Sequence, residues 1–323
     1  MIKNGVTYSG FSFVLGFALV FRTSQAYNRF WSAATAMHSM RAEWFEACSM
    51  CMVFSRISSK TMPRAELQKF EHTIARLFSL LHAMALETLG SVADENFPIL
   101  DITGFPREHL VTLRNTSESE RVEMVLNWVQ YYVFGKLQDG TLDVPPPIAT
   151  RVFQELRGGI VNFNEALQVM TMPFPFPYAQ MTTILLFVYM GFTPFVVALW
   201  VTDITLAVTF TLVSVVCMLS INCIAVEIED PFGGDANDIP GHELQLAMNE
   251  DLIMLLTPTS WAVPDLQPGA TVNHTELRRL HSENAFISLN AWCDSLGTQP
   301  LEPKSTELGP RDETDATRPP GYW

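Results

Sequence analysis

Formal charge is almost missing from one long stretch of this chain. Between Glu165 and Glu227 the only charged residue is Asp203. A soluble helix of that length shows a polar face every 3.6 residues, and neither Ala166–Thr202 nor Ile204–Val226 does. This excludes ordinary packing in water for both stretches. It predicts a helical hairpin through a membrane, because about 20 apolar residues span the hydrocarbon core. The tight turn of that hairpin falls near Thr202–Asp203.

Cysteine is scarce as well. The five present (Cys48, Cys51, Cys217, Cys223, Cys293) follow no metal-ligand spacing and read as small polarizable packing residues. Basic residues are few, 20 Lys and Arg against 34 Asp and Glu, for a net charge of −14. From Glu227 onward there are 17 acidic and 5 basic residues, so −12 of that −14 sits in the C-terminal segment. Nucleic acid and anionic lipid would both be repelled there, which excludes them as partners.

Enzyme signatures are absent too. There is no Gly-x-Ser-x-Gly and no phosphate loop. Gly241-His-Glu-Leu lacks the second histidine of a zinc-protease helix. Asp235-Ala-Asn237 begins like a calcium loop, but Ile239 stands where a third oxygen ligand belongs and no closing glutamate follows. A membrane-bound hydrolase using these carboxylates would lack a nucleophile, a base and a metal histidine. The expected class is not an enzyme.

What the chain does have is apolar helix and one acidic junction. Met172-Pro-Phe-Pro-Phe-Pro-Tyr178 places proline at every second position, which removes helical hydrogen bonds and favours an extended path. The spanning helix is therefore expected to start near Pro177, in its first turn. Extended backbone at membrane depth must be covered by protein or water. A third uncharged stretch, Asn4–Phe21, lies between Lys3 and Arg22. No small-residue cleavage site follows it, as a signal peptide would require. Arg22, Arg29 and Arg41 come next and mark a cytoplasm-like flank. With both later segments on one side, a further helix is expected upstream. Spans are thus expected near 5–21, 177–201 and 204–226.

Residues 31–57 and 65–89 carry apolar positions at helical spacing, and 118–136 and 149–170 do so less cleanly. No alternating strand pattern persists. The expected fold is all-α, with membrane helices continuous with a cytosolic-side helical stalk. Its segments are a membrane helix to residue 21, a stalk over 22–170, a hairpin over 171–226, an acidic motif with helix over 227–296, and a disordered tail over 297–323. The acidic motif packs Glu227, Glu229, Asp230, Asp235 and Asp238 around Pro231 and two glycines. It reads as a cation site, an electrostatic element or a rigid elbow, and equally as a helix stop followed by a solvated turn.

The stretch Glu229-Asp-Pro-Phe-Gly-Gly-Asp-Ala-Asn-Asp-Ile-Pro240 closely resembles the post-membrane motif of the bestrophin family of anion channels, particularly its bacterial and plastid-type members. Phe21-Arg-Thr-Ser-Gln-Ala-Tyr-Asn-Arg-Phe-Trp31 resembles the segment after that family's pore helix, and Pro175-Phe-Pro-Tyr-Ala-Gln180 its lead-in to the third membrane helix. The likeness covers roughly residues 9–257. It implies a homopentamer in the lipid bilayer, with one pore on the five-fold axis passing chloride or bicarbonate. Phe13 and Phe17 match the family's apolar neck, with Ser9 one turn earlier where a third apolar residue is usual. Their i, i+4 spacing puts both rings on one helix face; ordinary helix packing is the alternative. A second constriction is implied in Phe174-Pro-Phe176, with Phe174 the better candidate. Asp235 and Asp238 match a calcium clasp completed by carbonyl oxygens near Glu227 and Asp230. Bacterial-type relatives generally lack calcium gating, so the turn is alternatively a structural belt. No cofactor is required. The remaining alternative is a non-conducting membrane scaffold, and nothing in the residues selects between plastid, thylakoid and plasma membranes.

Overall fold

The computed structural model describes residues 5–90, 96–235, 237–282 and 288–295. Among them every regular element is helical. The expected disordered tail lies outside the described residues.

The first helix, α1, runs unbroken from Gly5 to Ile57, about 80 Å at 1.5 Å per residue. That is far longer than a bilayer needs, so α1 continues as the spine of a helical bundle. The bundle comprises α2 (Arg64–Leu89), α3 (Arg107–Asn115), α4 (Glu118–Gln138) and α5 (Pro146–Thr171). Pro146 and Pro147 start α5, with Pro145 as its N-cap; their fixed φ suits a first turn. The short α3 lies in a stretch where periodicity predicts nothing. The hairpin follows as α6 (Phe176–Trp200) and α7 (Ile204–Glu227), then α8 (Gly241–Leu256). Asp203 caps α7, its Oδ1 accepting from the Leu206 amide at 3.0 Å. Such a cap satisfies one of the amide donors that a helix start leaves open. The residues from 262 onward form a separate unit holding α9 (His274–Ser282) and α10 (Leu289–Ser295).

Among the described residues three helices are long and apolar enough to cross a membrane: α1, α6 and α7. Within one chain most of α7 is exposed or half-buried, only Ala225 being fully buried. A small apolar cluster joins the upper part of α1 to the hairpin through Leu15, Leu19, Leu186 and Tyr189. Tyr8 pins the start of α1, its hydroxyl 2.9 Å from Thr193 Oγ1 and its ring stacked on Tyr189 at 6.1 Å.

The main core lies in the bundle, where α1, α2, α4, α5 and α8 meet around Trp44, Phe70, Phe78, Val129, Leu156 and Met248. Each fully buried Phe contributes about 1.5–3 kcal/mol relative to an exposed one. The α1–α5 crossing is close because α5 presents Gly158 and Gly159. A Cβ at Gly159 would collide with the indole of Trp44, which is fully buried. Gly159→Ala should therefore destabilise the bundle by about 1–3 kcal/mol through overpacking. Thermal unfolding in detergent checks this, and an unchanged midpoint would mean the crossing has slack.

Buried polar groups join α2 to α8. Ser79 Oγ donates to Asn249 Oδ1 at 2.7 Å, and Gln245 Nε2 donates to the carbonyls of Ser79 and Pro98 at 3.1 and 3.0 Å. Glu71, also buried, takes Ser55 Oγ at 3.0 Å and both guanidinium nitrogens of Arg64. Buried polar groups satisfied in this way fix the register of neighbouring helices.

Candidate pore face and its clamp

The upper part of α1 has two distinct sides. Leu15, Leu19, Arg22 and Ala26 are buried against the rest of the chain. On the other side Ser9 is exposed, Phe13 is 75% exposed and Phe17 67% exposed. Exposed phenyl rings beside a packed leucine face are not core residues of this chain. The two rings share one face, as their spacing predicts, and no described residue covers them.

The packed side is held by arginines. The Arg22 guanidinium is buried, donating through Nη1 to Asn222 Oδ1 at 3.0 Å and through Nη2 to Glu229 Oε2 at 2.9 Å. Two turns further, Arg29 donates to three carbonyls: Met172 at 2.6 Å, Val169 at 2.8 Å and Glu229 at 3.4 Å. Arg29 thereby ties α1 to the end of α5 and to the acidic turn at once. Arg41 pairs with Asp251, and Arg56 donates to the Leu255 carbonyl, both on α8. The basic flank expected only to set membrane orientation thus also anchors α1 along the acidic C-terminal segment.

The proline elbow lies between α5 and α6. Phe174 is 8% exposed, its ring 6.2 Å from Tyr178, which itself lies 6.2 Å from Phe21 of α1. Phe176, the first residue of α6, is 71% exposed. Within the chain Phe174, the better aperture candidate by sequence, is thus buried, and Phe176 is exposed. Phe174 is used to seat the elbow on Tyr178, which leaves Phe176 as the free ring.

The acidic turn closes on itself. The Asp235 amide donates to Asp238 Oδ2 at 2.6 Å and the Asp238 amide to the Asp235 carbonyl at 3.1 Å. The Ile239 amide returns to the Pro231 carbonyl at 3.0 Å. Phe232 is buried in the main core and fixes the turn to the bundle. Burial pushes the Asp238 carboxyl above its usual value, its bond from the Asp235 amide pulls the other way, and the charges of Asp235 and Asp230 add to the rise. Among the described residues no group of three or more His, Cys, Asp or Glu side chains is placed to hold a metal ion. Glu227, Asp230, Asp235 and Asp238 are hard oxygen donors of the kind calcium prefers, yet one chain does not gather them into a shell.

Residues 3–253 match the family described as bacterial and fungal bestrophin protein. The chain belongs to the bestrophin family. Over 265 residues it is 28% identical to the voltage-dependent anion channel-forming protein sll1024 of Synechocystis, covering 76% of each chain. It is 30% identical over 236 residues to the similarly named alr2987 of Nostoc, covering 71% of this chain and 70% of the relative. A crystal structure of a bacterial bestrophin homologue from Klebsiella pneumoniae superposes with a TM-score of 0.64 at 17% identity, over 77% of this chain and 86% of that one. At that identity the structural likeness speaks for the fold. In this bestrophin both Arg22 and Arg29 hold Glu229, at the start of the acidic turn.

Proposed function

We propose that the protein is a passive anion channel for chloride and also bicarbonate, in which five copies surround one pore lined by α1. It performs no covalent chemistry. The observation that carries this reading is the uncovered Phe13–Phe17 face opposite the packed Leu15–Leu19 face. Five such faces around an axis make two stacked apolar rings, which gate by dewetting. Phenyl edges carry partial positive charge and favour an anion over a cation. Ser9, above them, widens the mouth of that neck. Family membership and the names of the two cyanobacterial relatives support the anion.

Further features agree with this arrangement. The exposed apolar side chains of α6 and α7, among them Phe187, Phe195, Val208 and Leu212, suit contact with lipid. Phe176 takes the role of a second aperture at the elbow. The acidic turn acts as a belt between bundle and pore helix, with its charge on Arg22 and its backbone on Arg29, and calcium is not needed for conduction.

Planar-bilayer recording of the purified protein tests the reading. Phe13→Ala combined with Phe17→Ala should raise chloride current, mostly by increasing open probability, as the rings no longer expel water from the neck. A double variant with the conductance and open probability of the parent would reduce these rings to helix packing. A parent protein that assembles but passes no current would favour the non-conducting scaffold.

A further inference from the structure

The uncovered face of α1 does not end at Phe17. It continues through Val20, Ser24, Tyr27 and Trp31, with Tyr27 55% and Trp31 51% exposed. Trp31 follows Phe13 by 18 residues, which at 3.6 residues per turn is about five full turns and about 27 Å, so both point the same way. Tyr27 follows Phe13 by 14 residues and lies within about 40° of it on the same count. The two rings meet edge to face at 6.1 Å, and Phe30 braces Trp31 in the same manner at 6.0 Å.

The register holds because α1 is continuous here and cannot roll. Leu19, Arg22, Ala26 and Ala33 are buried on its other side, and Arg22 and Arg29 are bonded to fixed acceptors. Large aromatic residues left uncovered on a locked face, in line with the neck, are explained if the same water path passes them. Their chemistry also differs from that of the neck. Phenylalanine offers only ring edges, whereas the tyrosine O–H and indole N–H donate hydrogen bonds.

Resting on the neck reading above, we infer that Tyr27 and Trp31 form a second, hydrogen-bonding aromatic collar on the anion path, which sets preference among anions. Donated bonds compensate strongly hydrated anions such as chloride for water they shed, and help weakly hydrated ones such as thiocyanate much less. The collar therefore favours chloride relative to thiocyanate, and the neck does not.

Reversal potentials under chloride–thiocyanate gradients, measured on the full-length protein in planar bilayers, test this. Trp31→Phe keeps the ring and removes the donor. It should raise thiocyanate permeability relative to chloride by about threefold or more, a fraction of the worth of one hydrogen bond to a charged group. Ser24→Cys, on the same face one turn above Tyr27, is a small change that should leave assembly intact. A negatively charged methanethiosulfonate reagent should cut its current severalfold, beyond any loss in identically treated parent protein, whose Cys217 and Cys223 are exposed. An unaltered permeability ratio in Trp31→Phe, or a Ser24→Cys current indifferent to the reagent, would overturn the collar. The Phe13/Phe17 double variant separates the two readings. If it changes the current while the collar variants do not, the neck stands and the collar falls. If none of the variants changes anything, the neck falls with it.

Discussion

Glu229→Ala should destabilise the protein by about 2–4 kcal/mol and sharply reduce current at working temperature. The pair it breaks is mostly desolvated: Arg22 is buried, while Glu229 keeps partial contact with solvent. Removing one member of a buried pair typically costs about 3–5 kcal/mol, because the other charge is left without compensation. The partial exposure of Glu229 and the surviving Asn222 contact place this site lower in that range. Function should fall with stability, since Arg22 sits one turn below Leu19 and five residues beyond Phe17, on the helix proposed to carry the neck. Glu229→Gln retains an acceptor for the guanidinium and should lose roughly half as much. Thermal unfolding and bilayer current, each measured with and without calcium, check the claim. The same loss in both conditions fits a belt made of protein groups alone. A loss that added calcium alters, or that Asp235→Ala and Asp238→Ala reproduce only in its presence, would return the turn to ion binding. Unchanged stability in Glu229→Ala would show that water already compensates Arg22.

The hairpin was readable because its cause is local. A run without charge, one aspartate in the turn and prolines before the helix each act within a few residues, and Asp203 caps α7 at the expected place. The acidic motif and the proline elbow were readable for the same reason. The arginines were not. Arg22 and Glu229 stand 207 positions apart, and Arg29 meets carbonyls 140 to 200 residues away. No periodicity or spacing rule connects residues at such separations. The burial of Phe174 was not readable for a related reason, since it depends on where Tyr178 turns after the elbow. The expected continuity of membrane helix and stalk is seen in α1, which runs unbroken through residues 22–30 although the pattern there mixes two surroundings. An apolar span gives way to a polar bundle in mid-helix, and the helix itself takes no notice. Gly158 and Gly159 offered a signal that could have been used: paired glycines inside an otherwise helical stretch often mark a close helix crossing. The buried network of Ser79, His82, Gln245 and Asn249 left none, because each residue type is common on surfaces.

That network makes stability depend on pH, with a sign that can be worked out. His82 is fully buried on α2, with Nδ1 2.6 Å from Gln245 Oε1. Gln245 spends its own amide protons on the Ser79 and Pro98 carbonyls, so Nδ1–H of His82 is the donor and Nε2 is bare. No partner lies within reach of that nitrogen. A second proton would create a buried cation with an unsatisfied N–H near Arg41. Burial accordingly pulls the His82 pKa down from 6.5 to about 4; the bond to Gln245 opposes this, and the charge of Arg41 adds to it. The folded pKa lies below the unfolded one, so the unfolded chain binds more protons through this window. Stability is then fully present above pH about 6.5 and is lost as pH falls towards 4, by on the order of 3 kcal/mol from this one group. His82→Gln can still donate to Gln245 Oε1 and cannot titrate. At pH 7 it should be slightly less stable than the parent, by up to about 1 kcal/mol for imperfect packing. Near pH 4.5 the order should reverse. Thermal unfolding of both proteins in the same detergent from pH 7.5 to 4.5 measures the crossing. Parallel curves without a crossing would mean that His82 gains a proton without penalty, and that its bare nitrogen is reached by water in the folded protein.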